Sequence, residues 1–482
     1  MNPMIVGLIL FGIFFVFAAL MYTGKLSALI ALPLMAAALF LTGGLFYYKV
    51  AFVYPNSHFL LLAKEFMRVV IEEGMPRLWS YIITVILGAT LAEILKESGV
   101  SKTIIRWASE LGGDNKIVMC ILLTLATALL FTSLVGLGSV IMVASIVLPI
   151  LISIGVTPAV AGSLFLLAMS LGGAFNPVNW QFYIDIMSKT GNVAPVVAQN
   201  QLIRFVFPFA FIFLFVIIGF ILLNARRGFS SFWAVGKKEP VKKKGADTNA
   251  GFLAILTPLV PIVLILGFNL GSRILISSGP GRAPDTSFIK SLFYSSGYMF
   301  PINTALLIGI LYGIAASGRG KSGRIQRLTK SLFDGVSSSA PVIGLIIGIG
   351  MIIRVVWDPV VGSYMEPVLK NIIPSSPILY VVVFTVCAPL ALYRGPLNVW
   401  GMGIALGGII IGTHVLPPVA VMCALFSVGM IQGVSDPTNT HNVWIAGFLN
   451  EDVQTFTKKT IVYTWILALF GLILSAVMFL MK

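Results

Sequence analysis

The chain has 482 residues, of which 58% are hydrophobic and 10% charged, with a net charge of +15; its mean hydropathy of +1.00 excludes an ordinary soluble domain. The basic excess does not point to nucleic acid, because most of it sits in short loops beside apolar segments, where cationic residues set membrane orientation. Cys120, Cys387 and Cys423 lie in apolar runs without metal-ligand spacing, so neither a disulfide framework nor a metal centre is expected.

In chain order, the apolar periodicity predicts fourteen membrane segments in two sets of seven. The first set spans about 4–21, 26–47, 78–95, 117–134, 137–154, 158–175 and 200–224. The N-terminus has no basic region ahead of its apolar stretch, so residues 4–21 are expected to be a retained helix. Leu60–Glu73 places Leu61, Leu62, Phe66, Val69 and Val70 against Lys64, Glu65, Arg68, Glu72 and Glu73, the pattern of an interfacial amphipathic helix. Residues 225–250, with Arg226, Arg227, Lys237, Lys238, Lys242, Lys243 and Lys244, form a polar linker. The second set spans about 251–270, 295–316, 337–356, 377–394, 397–412, 417–434 and 460–480. A second basic loop carries Arg319, Lys321, Arg324, Arg327 and Lys330.

Placing the linker in the cytoplasm puts the N-terminus outside. An odd number of crossings per half then makes 1–224 and 251–482 inverted-topology repeats. The expected fold is therefore an all-α polytopic membrane protein of two inverted repeats, each with a helical hairpin and a broken helix.

The breaks are Asn176-Pro177-Val178-Asn179 and Asp436-Pro437-Thr438-Asn439, each preceded by an apolar run that starts at a Pro motif, Thr157-Pro158 or Pro417-Pro418. Proline disfavours helical geometry at the residue before it and removes an N–H, so Asn-Pro and Asp-Pro stop helices. At membrane depth such irregular backbone survives where it is packed in protein or lines a cavity. The hairpin tips are Phe131-Thr132-Ser133-Leu134-Val135-Gly136-Leu137-Gly138-Ser139 and Ala391-Leu392-Tyr393-Arg394-Gly395-Pro396-Leu397-Asn398; an offset of about 259 (398 − 139) sets Gly136 on Gly395 and Ser139 on Asn398. Arms this short fit re-entrant hairpins as well as tilted crossings.

Arg394, deep in an apolar context, suits a carboxylate because the guanidinium presents paired donors; it also suits a snorkelling helix end or a partner for Asp436. With it, Ser133, Gly136, Gly138, Ser139, Asn179, Gly395, Asn398, Thr438 and Asn439 are the candidate substrate-binding residues. Asn176, Ser435 and Asp436 are the candidate coupling-cation residues, since exposed carbonyls and a carboxylate offer hard oxygens; Asp436 fits a helix cap or an ion pair equally. His414 and His441 suit packing or solvent-facing roles better than a proton relay. Arg354 with Asp358, and Glu93 with Lys96, are expected boundary pairs. No phosphate loop, metal set or catalytic triad supports an enzyme.

This arrangement resembles the ion transporter superfamily of citrate, C4-dicarboxylate and gluconate permeases and some sodium/proton antiporters, on the hairpins Ser133–Ser139 and Arg394–Asn398 and the two breaks. The Ser-Asn-Thr signature of the dicarboxylate carriers is in neither hairpin. The resemblance implies a secondary carrier of carboxylate anions with Na+ or H+, or alternatively a Na+/H+ antiporter; a channel or membrane-embedded enzyme fits less well. The expected partners are a small organic anion and the lipid bilayer, without nucleic acid. No cofactor beyond the coupling ion, a homodimeric assembly and a bacterial inner-membrane location complete the expectation.

Overall fold

The computed structural model describes residues 2–23, 25–48, 55–113, 115–225, 251–277, 300–317, 321–370, 373–374, 376–400 and 403–481. The linker residues 226–250, and with them Lys237–Lys244, lie outside that set, as does Arg319. Among the described residues all regular structure is helical. The protein is an all-α polytopic membrane protein.

The first half runs α1 Pro3–Tyr22, α2 Ala28–Tyr47, α3 Pro55–Phe66, α4 Trp79–Glu97, α5 Val100–Gly112, α6 Lys116–Phe131, α7 Leu137–Ser153, α8 Pro158–Ala174, α9 Pro177–Gly191 and α10 Pro195–Ala225. The second runs α11 Phe252–Ile255, α12 Val260–Ser277, α13 Ile302–Ala316, α14 Lys321–Trp357, α15 Pro359–Lys370, α16 Pro377–Cys387, α17 Gly403–Gly412, α18 Pro418–Ser435, α19 Thr440–Leu449 and α20 Val453–Phe479. Starts recur as a cap residue followed by proline: Thr157-Pro158, Asn176-Pro177, Ser376-Pro377. Proline there has no hydrogen bond to lose, and its fixed φ suits the first turn.

A helix overlaps each of the fourteen expected segments, though the helices differ in length. Seven of the described spans are long and apolar enough to cross a membrane: Pro3–Met21, Ala28–Tyr47, Trp79–Glu97, Pro195–Asn224, Gly323–Trp357, Pro418–Leu449 and Val453–Phe479. The pair α8 and α9 would make an eighth span, bent by 56° at its break. The hairpin arms α6 and α7 have 16 and 17 residues. At about 1.5 Å per residue such arms reach about 25 Å, short of a core about 30 Å thick.

Two further expectations change. The second basic loop is largely helix, because α14 starts at Lys321 and runs 37 residues; Lys330 reaches back to Glu97 at 2.7 Å. The expected loop Lys96–Lys116 contains α5, whose Val100, Ile104, Ile105 and Ala108 are buried while Arg106 and Glu110 pair on the exposed side. Around Leu60–Glu73 the chain is helical as expected, but it widens into a π-turn segment at Met67–Glu72 that buries Val69 and Val70. The boundary pairs form: Arg354 Nη1 lies 3.0 Å from Asp358 Oδ2, and Lys96 Nζ 2.8 Å from Glu93 Oε2.

The helices pack as two groups. One holds α1, α2, α4, α12, α13, α14 and α15; the other holds α6 to α10 and α16 to α20. Glycine permits the closest approaches: a Cβ at Gly172 would run into the Ala128 carbonyl, seating the first broken helix against the hairpin arm α6. The groups meet along a seam where α4 packs on α9 and α14 on α17. Across it Tyr81, Phe182 and Trp400 stack, with Phe182 and Trp400 centroids 4.9 Å apart at 18°.

Candidate functional site at the two helix breaks

At the first break Asn176, 1% exposed, does two jobs with one amide. Its Oδ1 accepts from Val178 N at 2.9 Å, capping α9. Its Nδ2 donates to the Phe131 and Leu134 carbonyls, at 3.0 and 3.1 Å, at the tip of the first hairpin. The last carbonyls of α8 are also met: Asn179 Nδ2 donates to Gly173 O at 2.8 Å and Trp180 Nε1 to Ala174 O at 2.7 Å. A helix is thus interrupted without stranding its backbone groups, the condition for a break inside a membrane.

The second break repeats the plan with altered chemistry. Asp436, fully buried, accepts at Oδ1 from Thr438 N (2.9 Å), Thr438 Oγ1 (2.7 Å) and Tyr393 N (3.1 Å). Its Oδ2 accepts from Asn398 Nδ2 at 3.1 Å. A carboxylate cannot donate to the hairpin as Asn176 does. Asn398 supplies the missing donor, since its Nδ2 also reaches the Ala391 carbonyl at 2.9 Å. Ala391 stands to Asp436 as Phe131 stands to Asn176, each 45 residues earlier (436 − 391; 176 − 131). Asn439 Nδ2 donates to the Gln432 carbonyl, matching Asn179, and Gln432 Oε1 accepts from Val399 N at 2.8 Å.

The hairpin tips differ in exposure. Ser133 is buried and donates to the Pro258 carbonyl at 2.6 Å, and Ser139 donates to Val135 O at 2.8 Å. Gly136 and Gly138 lie exposed between them; Gly136, at φ +83°, faces open space in a conformation that favours glycine. In the second tip Tyr393 holds φ +54°, and Gly395 lies so close to the Leu390 carbonyl that no side chain would fit. The Arg394 side chain lies outside the described residues. Ser435 hydrogen-bonds Thr460 and Thr464 of α20 at 2.7 and 3.0 Å. His441 Nε2 lies 3.0 Å from the Gly433 carbonyl, and His414 occupies the turn before α18 at φ +55°.

Sequence reasoning missed Gln432 and Asn442. Asn442 Nδ2 donates to the Val434 and Asp436 carbonyls, both at 2.9 Å, leaving its buried Oδ1 without a partner. Asn398 Oδ1 is likewise buried and unpartnered. Two open amide oxygens therefore adjoin the second break, and both belong to residues that bond Asp436. The signal was available in Thr438-Asn439-Thr440-His441-Asn442, whose polar run continues past the quoted motif. Also missed was a cavity of about 720 Å³ at the seam, lined by Ser80, Gln181, Asp185, Lys189, Gln199 and Asn303 among others.

No family model matches the chain, and no curated protein does. Among solved structures it is similar to MtrF of Neisseria gonorrhoeae, described as illuminating a class of antimetabolite efflux pumps. Identity there is 12% over 93% of this chain and 95% of that one, with a TM-score of 0.52. It also matches the YdaH transporter of Alcanivorax borkumensis, described as having an unusual topology, at 16% identity over 88% of each chain and a TM-score of 0.49. The likeness is one of fold, and the fold is that of a membrane transporter.

Proposed function

We propose that this chain is a secondary active transporter of a small organic anion, a carboxylate, coupled to Na+ or H+. Two inverted repeats, 1–224 and 251–482 joined by 225–250, would give one site alternating access. The observation that carries the reading is the shared construction of the breaks, each tied by a buried side chain to the tip of its own hairpin. The cation region is the second break, where Asp436 and the open oxygens of Asn398 and Asn442 offer hard ligands, with Asn176 and Ser435 as the remaining candidates. The anion region is the pair of hairpin tips, Ser133 to Ser139 and Arg394 to Asn398, with Asn179, Thr438 and Asn439 beside them.

The test is uptake and efflux of radiolabelled succinate, citrate and benzoate in proteoliposomes under imposed Na+ or proton gradients. Accumulation of at least one anion, abolished when the driving gradient is collapsed, is expected. Gradient dissipation without movement of any solute would mean a Na+/H+ antiporter of the same architecture. Arg394→Lys keeps the charge and loses the planar donors, so apparent affinity should fall about tenfold or more, since one charged hydrogen bond contributes roughly 1.5 to 3 kcal/mol. Unchanged affinity would remove Arg394 from the anion site.

A further inference from the structure

Each broken helix carries one acidic residue, Asp436 in the second and Asp185 in the first. Both are buried, at 0% and 5% exposure, and their surroundings are opposite. Asp436 is held on both oxygens by four donors, whereas Asp185 receives one side-chain hydrogen bond, from Gln181 Nε2 to Oδ1 at 2.7 Å. Its Oδ2 is buried without a partner. Two more lining groups of the same cavity are unsatisfied, Ser188 Oγ and Gln199 Nε2, and Gln199 is only 6% exposed.

Three orphaned polar atoms on residues that line one cavity are costly unless their side chains turn to meet a partner there. Their chemistry says what. Gln199 and Ser188 are donors without acceptors, and Lys189 adds a cation at the mouth, which together suit a carboxylate. Asp185 would repel that carboxylate unless it holds a proton, and a protonated acid completes the set as one more donor. The charged and titratable groups around it are few. Lys189 stands one turn along its own helix, and Tyr183 is its near neighbour in sequence. From α4 the backbone of Tyr81 faces the carboxylate, and the Arg77 guanidinium donates to the Lys189 carbonyl at 2.6 Å. From α13 and α10 the facing groups are the neutral Asn303 and Gln199.

We propose that Asp185 is a proton-binding group and that a proton on it and a small carboxylate anion occupy this cavity together. The proposal rests on the carrier reading and goes beyond it, adding an anion position apart from the hairpin tips: binding of each ligand favours the other by the same factor, which is what co-transport of anion and proton requires. Asp185 stands about 9 Å along α9 from Asn179, six residues at about 1.5 Å each, so this proton is held apart from the first break.

The test of the proton does not depend on transport. Dicyclohexylcarbodiimide reacts with protonated carboxyls in apolar surroundings, and peptide mapping of the purified full-length protein locates the adduct. We expect labelling at Asp185 that falls as pH rises, is slowed by succinate, and is retained in Asp185→Glu but lost in Asp185→Asn. Folding of both variants is checked by a monodisperse elution profile. Absence of an Asp185 adduct at acidic pH, or labelling indifferent to pH, overturns the proposal. In proteoliposomes, Asp185→Asn should lose accumulation driven by a proton gradient; full gradient-driven accumulation in the variant would also overturn the proposal. If the wild-type protein carries no anion at all while Asp185 labels as expected but without slowing by succinate, the carrier reading fails and the proton site stands alone.

Discussion

Asn176 and Asp436 occupy matching positions and do one mechanical task with opposite hydrogen-bonding capacity. An amide both accepts and donates, so Asn176 caps its helix and ties its hairpin alone. A carboxylate only accepts, so Asp436 depends on Asn398. Asn398→Ala should therefore cost about 1 to 3 kcal/mol, read as a lower midpoint in detergent-solubilised thermal unfolding, because it strands a buried carboxylate oxygen and the Ala391 carbonyl. Asp436→Asn sets two NH2 groups against each other and should destabilise comparably. In the double variant Asp436→Asn, Asn398→Ala the new amide can reach the Ala391 carbonyl as Asn176 reaches Phe131, so its loss should be smaller than the sum of the single losses. Strict additivity would show that the two side chains do not act as a pair.

Much of the helical architecture could be read from the chain because its signals are local. Asn-Pro and Asp-Pro stop helices whatever surrounds them, and both breaks fall where those dipeptides stand. What escaped was non-local. The cavity draws on residues 79–80, 181–199 and 301–303, three stretches that no periodicity links. Likewise the start of α14, Lys321 to Lys330, reads as a basic loop, while in the fold it is helix and Lys330 pairs with Glu97 of another helix. The interfacial segment is another such case. Glu73 bonds Arg354 at 2.6 Å and Arg68 at 2.7 Å, fastening the π-turn segment to α14. Burial pushes the Glu73 carboxyl up, but Arg354 and Arg68 outweigh it and leave it below the ordinary carboxylate value. A lowered value means stability that is present above the unfolded carboxylate range and is lost as pH falls through the folded one. Hydrogen-exchange protection of residues 55–73, taken relative to the intrinsic amide rate at each pH, should therefore fall on acidification in the wild type, and Glu73→Gln should show low protection at every pH.

Seen as a molecule, the two helix groups meet through α4 on α9 and α14 on α17, and the cavity opens at that seam. Alternating access by rocking one group against the other must shear this contact. Gln181 Nε2 lies 3.4 Å from Ser80 Oγ across it. A Ser80→Cys, Gln181→Cys pair bridged by a short, reductant-cleavable bifunctional thiol reagent should stop transport, and reductant should restore it. Full-rate transport by the crosslinked protein would mean that the two groups move as one body. The unequal breaks matter here as well. The second break holds a carboxylate, and the cationic Arg394 sits in the hairpin tied to it, so a travelling second half would carry both charges and little net charge. Carrying one elementary charge through a membrane potential of about 100 mV is worth about 2.3 kcal/mol. The voltage dependence of transport would therefore report the charge of the cargo and not that of the scaffold.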